Sequence, residues 1–581
     1  MQTLLALFKE KITLAIGGAF GSTLSPDEQV ADMAPCMQEE FGHYQCNSAL
    51  RLSKILKQSP RAVAEKIVSH FASDMCAKVE IAGPGFINFT LSSKFLSSQL
   101  QKQLKDRFLG ACPPKKKERI IVEFSSPNIA KELHVGHIRS TIIGDCLARL
   151  FEFLDQDVLR LNHLGDWGTQ FGMLITYMKE VCPDVLVGKE PTDLESLMKW
   201  YKAAKKRFDE DLDFKTRSQK EVVRLQAGEG QAMHAWQLIC DVSRRGFQEI
   251  YDLMGVSLIE RGESFYNPYL KSVVDAFTAK GLVTISDGAK CVYLEGFKNR
   301  EGDPLPLMIQ KSDGGYNYDT TDLAALRHRI DVEKADRIIV VVDMGQSLHF
   351  QMLFAAAEKV GWLDRSKTQV DHVAFGLVLG ADGKKFKTRS GETEKLIDLL
   401  TEAVVKAQEI VVQRHPDGDP KEIAHLSRIL GIGAVKYADL SSLRTKDYTF
   451  SYEKMLRFEG NTAVFLLYAY VRINGIKRKI GADMNQVLLK NTIDLQHPTE
   501  ISLGVHLRRF GEVLEMMARD LLPNRLTDYL YELAEKFNAF FRDCRVEGSP
   551  EEGSRLVLCE LTARIMKQGL EILGLETVER M

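Results

Sequence analysis

No two of the ten cysteines stand closer than ten residues, so the chain has no CxxC pair for zinc or dithiol chemistry. With no secretion signal, they read as small buried hydrophobes in a reducing cytoplasm. No apolar run reaches the roughly 18 residues that a membrane-crossing helix needs, so nothing is expected to span a membrane. The opening stretch MQTLLALFKEKITLAIGGAF lacks a basic start. Lys9, Glu10 and Lys11 interrupt its apolar run, so it does not read as a leader. Charge of one sign is missing too. A net charge of −2 over 581 residues carries no global mark of a nucleic-acid binder. Any polyanion must be held by local basic patches. Internal repeats and low-complexity segments are also absent.

What is present is an ordinary globular composition, 45% hydrophobic and 27% charged, in a chain too long for one core. Three domains are expected. Residues 1–112 show a helical pattern and end in the strand-like GFINFTL, which suggests a small α+β domain. GACPPKKKER, from Gly110 to Arg119, reads as a linker. Residues 113–448 change to an α/β texture. RIIVEF (119–124), DVLRLN (157–162), DRIIVVVD (336–343) and DHVAFGLVLG (371–380) are apolar runs typical of buried strands. Apolar residues at helical spacing from Ile138 onward complete a βαβ unit. This alternation predicts a doubly wound parallel, Rossmann-like sheet. Residues 183–250, rich in lysine and glutamate, read as a helical insertion. Residues 449–581 read as an all-α bundle.

At the first strand-to-helix corner stands HVGH, with His134, Gly136 and His137. Chance predicts roughly 0.02 occurrences of HxGH from 13 His and 42 Gly. A metal site could use His134, His137 and His163, but no Cys or carboxylate pattern completes it. Phosphate chemistry is the third reading. A helix N-terminus offers unpaired N–H groups and a partial positive charge. Imidazoles on its first turn can stabilise a phosphate that gains charge in a transition state. Gly136 would leave room for a nucleotide ring or ribose against the backbone.

HVGH resembles the HIGH signature of class I aminoacyl-tRNA synthetases. The longer run VEFSSPNIAKELHVGHIRSTIIGD is similar to the arginyl-tRNA synthetase family. So are LNHLGDWGTQFG, KSDGGYNYDTTDLAALRHRI, FGLVLGADGKKFKTRSGET and LTARIMKQGLEILG, in family order along nearly the whole chain. The resemblance implies an enzyme that activates arginine with ATP, accompanied by Mg2+, and esterifies tRNA(Arg). It implies no protein-bound structural metal. His134 and His137 would then stabilise the α-phosphate, and Asn128 would hold the substrate α-amino group. Asn128, His134, Gly136 and His137 would together form the nucleotide site.

A guanidinium is a planar, permanent cation and calls for carboxylates at fixed angles. Glu123 lies inside an otherwise apolar strand and by itself also reads as an edge-strand surface residue. Tyr318 and Asp322 share one face if a helix begins there, although Asp322 alone also reads as a helix N-cap. Gln346 follows a strand and opens the next helix. The family match groups Glu123, Tyr318, Asp322 and Gln346 around arginine. The KMSKS loop of class I enzymes would correspond to KKFKTRSG, with Lys385, Lys387 or Arg389 gripping the phosphates, unless the loop is only a solvated basic stretch.

Basic clusters occur at Lys115 to Lys117, at Arg472 with Lys477, Arg478 and Lys479, and at Arg508 with Arg509. Each alone reads as solvated surface. The resemblance makes residues 449–581 an anticodon-binding domain and residues 1–112 a contact for the tRNA elbow, in a monomeric cytoplasmic enzyme. A synthetase for another amino acid, a nucleotidylyltransferase and a tRNA-binding protein without catalysis are the competing readings. In the family, arginine activation generally requires tRNA. ATP–pyrophosphate exchange is therefore expected to be silent until tRNA is added, and robust exchange without it would contradict this.

Overall fold

Ile120, Ile121 and Val122 are all buried, as befits a strand inside a parallel sheet covered on both faces. In the computed structural model, which describes every residue except 37, 381 and 385–394, they form the middle of β1 (Arg119–Glu123). The described chain divides into two compact units, Met1–Lys115 with Arg457–Met581, and Lys116–Leu456.

The second unit is built on a five-stranded sheet with β1 at its centre. β2 (Asp157–Asn162) flanks β1 on one side and β3 (Ile259–Glu260) lies beyond it. β4 (Arg337–Val340) flanks the other side, with β5 (Gln369–His372) beyond. Every pairing is parallel. The chain therefore winds outward from β1 in one direction, then returns to its other side. The reversal falls between β1 and β4, and open α/β sheets bind ligands beyond the strand ends at such a point. α1 (Val135–Phe153) connects β1 to β2. It packs close because Gly144 has no side chain; a Cβ there would lie 2.2 Å from Phe124.

The region 183–250 is helical, with Leu194–Glu210 and Leu212–Gln226 preceding α2 (Gly230–Met254). Before α3 (Tyr318–Asp331) comes an antiparallel sheet ordered Pro304–Gln310, Ala289–Lys298, Thr284–Ser286. Pro304 and Pro306 break its alternating pattern, so it does not stand out in the sequence. Val292, Leu294, Leu307 and Ile309 from this sheet share one core with Leu323 of α3 and Leu353 of α4 (Ser347–Val360). DHVAFGLVLG is not one strand. It splits into β5, which starts at Gln369, and Val378–Leu379, which pairs with Tyr448–Thr449. The break lies at Gly376, whose N–H donates to Arg444 O and whose Cβ would lie 2.7 Å from the Lys446 carbonyl carbon.

In the first unit an antiparallel sheet runs Met33–Pro35, Tyr44–Cys46, Phe86–Leu91, Cys76–Ala82. The C-terminal helices, among them Pro498–Arg508 and Phe510–Asp520, close against this N-terminal part. The joint contains polar groups. Buried Glu512 accepts from Tyr44 OH at 2.7 Å and from Leu5 N at 2.9 Å. Burial pushes its carboxyl above the usual range, although these donors oppose the shift. The Arg508/Arg509 cluster is not a solvated patch. Arg508 is fully buried and donates to Gln2 O, while Arg509 donates to His43 O at 2.9 Å. Each guanidinium thus gives one bond to a backbone carbonyl inside this unit. Among the described residues, no helix is long and apolar enough to cross a membrane.

Tyr44→Phe removes a donor from the buried Glu512 carboxyl. The loss is expected to cost about 1–3 kcal/mol, seen as a lower urea midpoint for this unit. An unchanged midpoint would show that the joint does not rely on this bond.

Candidate active site

Between β1 and α1 the chain takes a path that ordinary residues resist. Ser125, Ser126 and Ala130 have φ of 72°, 47° and 59°. Such left-handed conformations cost about 1–3 kcal/mol each without glycine. Hydroxyl and amide groups from the surrounding elements hold them. Ser140 Oγ accepts from Ser125 N at 2.9 Å and donates to Val341 O at 2.6 Å, which ties the loop to the end of β4. Ser125 Oγ lies 2.8 Å from Tyr251 OH on α2. Asn162 Oδ1 accepts from Ser126 N, and Ser243 Oγ from Ala130 N, each at 3.0 Å. The loop after β2 runs alongside, with Gly165 N donating to Pro127 O at 3.0 Å. A Cβ at Gly165 would come within 2.0 Å of Asn128 Oδ1. Asn128 is thereby presented, exposed, at the C-terminal edge of the sheet.

The imidazoles follow. His134 is the N-cap of α1, and its Nδ1 accepts from Gly136 N at 3.0 Å. His137 Nδ1 accepts from His134 N at 3.1 Å. A neutral imidazole accepts at one nitrogen and donates at the other, so both rings keep their proton on Nε2. Burial, reinforced by the neighbouring His134, pushes His137 down to about 3 and keeps it neutral. The rings are 4.1 Å apart at the positive end of the helix dipole. Gly136 has a more immediate role than room for a nucleotide. A Cβ there would lie 2.7 Å from His134 Cε1, so the glycine lets the His134 ring fold back over the first turn.

One turn on, Arg139 is almost wholly buried. Its Nε lies 3.1 Å from Asp439 Oδ2 on α5 (Pro420–Leu440), and its Nη1 donates to Lys446 O at 3.0 Å. These bonds lock α1 to the segment that pairs with Val378–Leu379. The chain then enters the basic stretch, where Lys385, Lys387 and Arg389 lie outside the described residues.

The other half of the site is anionic. Asn317 caps α3, its side chain accepting from Thr320 N, so Asp322 does not serve as the N-cap. Asp319 and Asp322, one turn apart, both face His349 on α4. His349 Nε2 is 2.7 Å from Asp322 Oδ2, and Nδ1 is 3.2 Å from Asp319 Oδ1. His163, just after β2, brings Nε2 to 3.5 Å from the other Asp322 oxygen. Burial works against the Asp322 charge, yet the two imidazoles hold its carboxyl well below the usual range. Burial likewise disfavours a charged His349, but the Asp319 and Asp322 carboxylates outweigh it and lift the ring to about 9.

Glu123 is not an edge residue. β1 is central, Glu123 is buried, and its carboxylate lies 2.5 Å from Arg329 Nη1. Glu263 is pushed up to about 7, chiefly by burial, with His163 opposing the shift and Asp322 and Asp166 adding to it. Tyr318 is exposed, with its ring 5.2 Å from that of His349. Gln346, also exposed, immediately precedes α4. Sequence reasoning misses Arg329, Glu263 and His349, and raises His163 only as a metal ligand. A signal for His349 does exist: a histidine on the first turn of a helix that follows an apolar strand.

The site therefore brings two imidazoles at a helix N-terminus and a carboxylate pocket to the same sheet edge. The first suits phosphate and the second a cation. Comparison with known proteins identifies the family. Residues 99–452 match the family described as tRNA synthetases class I (R), catalytic domain. Residues 466–581 match the DALR anticodon binding domain, and residues 6–91 the arginyl tRNA synthetase N terminal domain. The arginine–tRNA ligase of Protochlamydia amoebophila is 60% identical, with all of both chains covered. That of Chlamydia felis is 52% identical over 96% of this chain and 98% of its own. Among solved structures, arginyl-tRNA synthetase from Plasmodium falciparum superposes with a TM-score of 0.87 at 33% identity, covering 100% of each chain. The arginyl-tRNA synthetase of Thermus thermophilus, 22% identical, shares the fold with a TM-score of 0.81 over the full length of both. A strained loop ending in two tied-back imidazoles, a carboxylate pocket beside it and matches along the whole chain lead to one conclusion: this chain belongs to the arginyl-tRNA synthetase family of class I.

Proposed function

We propose that the chain is an arginine–tRNA ligase. It activates arginine with ATP to arginyl-adenylate, releases pyrophosphate, and transfers the arginyl group to the 3′ end of tRNA(Arg). The observation that carries this reading is the meeting, at one sheet edge, of the HVGH imidazoles with the Asp322 pocket.

In the first step the arginine carboxylate attacks the α-phosphate of ATP in line, and pyrophosphate leaves. The protein forms no covalent bond, so catalysis is positioning plus electrostatics. The Nε2–H groups of His134 and His137 donate to α-phosphate oxygens as their charge grows. Both rings are neutral donors already turned by their Nδ1 bonds, so no proton needs to arrive first. Asn128 holds the α-amino group. Asp322 pairs with the guanidinium, Tyr318 and Gln346 flank it, and Glu123 with Arg329 supports the pocket floor. Lys385, Lys387 and Arg389 grip the ATP phosphates, and Mg2+ arrives with ATP as part of the substrate. In the second step the terminal adenosine hydroxyl attacks the arginyl carbonyl and AMP leaves.

Residues 449–581 are proposed to read the anticodon and residues 1–112 to touch the tRNA elbow. The reading carries a cytoplasmic monomer with it. The matches of the two end segments to an anticodon-binding and an arginyl N-terminal family support these assignments.

Aminoacylation assayed with each amino acid in turn tests the reading, and arginine alone should be accepted. His137→Ala is expected to lower the rate about 10²–10³-fold, the scale for losing one transition-state donor. Asp322→Asn should raise KM for arginine much more than KM for ATP, because the guanidinium is left underpaired. Wild-type kinetics in either variant would remove that residue from its role.

A further inference from the structure

His349 has a carboxylate on each ring nitrogen, at 2.7 Å and 3.2 Å. Nε2 hydrogen-bonds Asp322, and Nδ1 lies at ion-pair distance from Asp319. A ring set between two carboxylates, which accept and do not donate, is favoured as the imidazolium with hydrogen on both nitrogens. Asp322, its partner, keeps 23% of its side chain exposed, whereas Glu123 keeps 6% and is engaged by Arg329. A cation arriving from solvent therefore reaches Asp322 first. A guanidinium cannot lose its proton, and beside a second cation in a partly buried site it would be repelled.

We propose that arginine binds by cation exchange: its guanidinium takes over Asp322, and His349 releases one proton to solvent. The neutral ring then keeps Nδ1–H on Asp319 and turns the lone pair of Nε2 toward a guanidinium N–H. This makes His349 a specificity-determining residue. A neutral ureido side chain, as in citrulline, brings no charge to expel the proton or to replace the imidazolium beside Asp322. The inference rests on the seat proposed for arginine at Asp322.

Several other groups face this centre. Asp319, Asp322 and Tyr318 come from α3. Behind Asp322 stand His163, Glu123, Arg329 and Glu263. Glu123 and Arg329 neutralise each other. Two competing sources of a proton are His163, whose burial is outweighed by Asp322 and Glu123, and Glu263, pushed up to about 7. The carboxylates that lift His349 to about 9 keep it charged at neutral pH before arginine binds. Because binding expels a proton, it must tighten as pH rises.

Calorimetric titration of L-arginine into the full-length protein at pH 7.5, in two buffers of different ionisation enthalpy, counts the protons. The wild type should release close to one proton per arginine, and Kd should fall close to tenfold between pH 6.5 and 7.5. Glu263→Gln and His163→Gln should each preserve that count, His349→Gln should lose most of it together with the pH dependence, and citrulline should release none. Normal arginine binding without proton release, or undiminished release from His349→Gln, would overturn the exchange while leaving the seat intact. Asp322→Asn binding arginine with the wild-type Kd would overturn the seat itself, and the exchange with it.

Discussion

A carboxylate taken out of water must have a cation beside it or give up its charge. That constraint shapes the catalytic unit. Glu123 is held by Arg329, Asp322 by His163 and His349, and Asp439 by Arg139. Removing one partner of such a pair typically costs about 3–5 kcal/mol. The carboxylates of this pocket cannot therefore stand bare. The protein furnishes its own cations, and they differ in kind. Arg329 is permanent and faces the buried acid. The imidazoles can lose their charge and face the reachable one. Pocket floor and pocket mouth thus divide the tasks of staying fixed and of changing.

The imidazole side follows a different rule, that of side chains fixed by the backbone beside them. Both His134 and His137 use Nδ1 to accept a backbone N–H of the first helical turn. The same bonds that begin the helix select the tautomer, with the proton on Nε2. The loop before them is bent into left-handed backbone at Ser125, Ser126 and Ala130 and is held there by hydroxyls from α1 and α2 and an amide from the end of β2. Strain at this corner is balanced by bonds to the sheet and to the long helix behind it, so the loop moves only if several of them break together.

Much of this was legible in the sequence. Apolar runs such as RIIVEF and DVLRLN mark strands buried on both faces, and the glycine between two histidines marks the corner. Tyr318 and Asp322 show their common face by spacing. What stayed hidden depends on residues far apart in the chain. Nothing near Glu123 announces Arg329, and nothing near Asp322 announces His349, because these pairs exist only once the sheet edge has assembled. Arg508 and Arg509 look like a surface patch from their charge alone. Their burial follows from carbonyls supplied by the opposite end of the chain. The stretch after Phe375 misleads in the same way, since its apolar pattern continues while Gly376 turns it toward residues 444–447. Local composition reports which face is apolar; it does not report which distant partner will neutralise a charge.

The first unit is made of the two extremities of the polypeptide, and Tyr44 meets Glu512 across a separation of 468 residues. During translation the N-terminal sheet leaves the ribosome long before its counterpart exists. At the usual elongation speed of roughly 5–20 residues per second, the wait across 468 residues is roughly 23–94 s. The intervening unit can finish folding within that interval, while the nascent N-terminal part must remain incomplete, its apolar side open to chaperones. Shortening the delay between the two ends, by permuting the gene so that they are made consecutively, would change the order of assembly, and among the described contacts it would give up those of the Met1 ammonium with Asp106 and the Ala111 carbonyl.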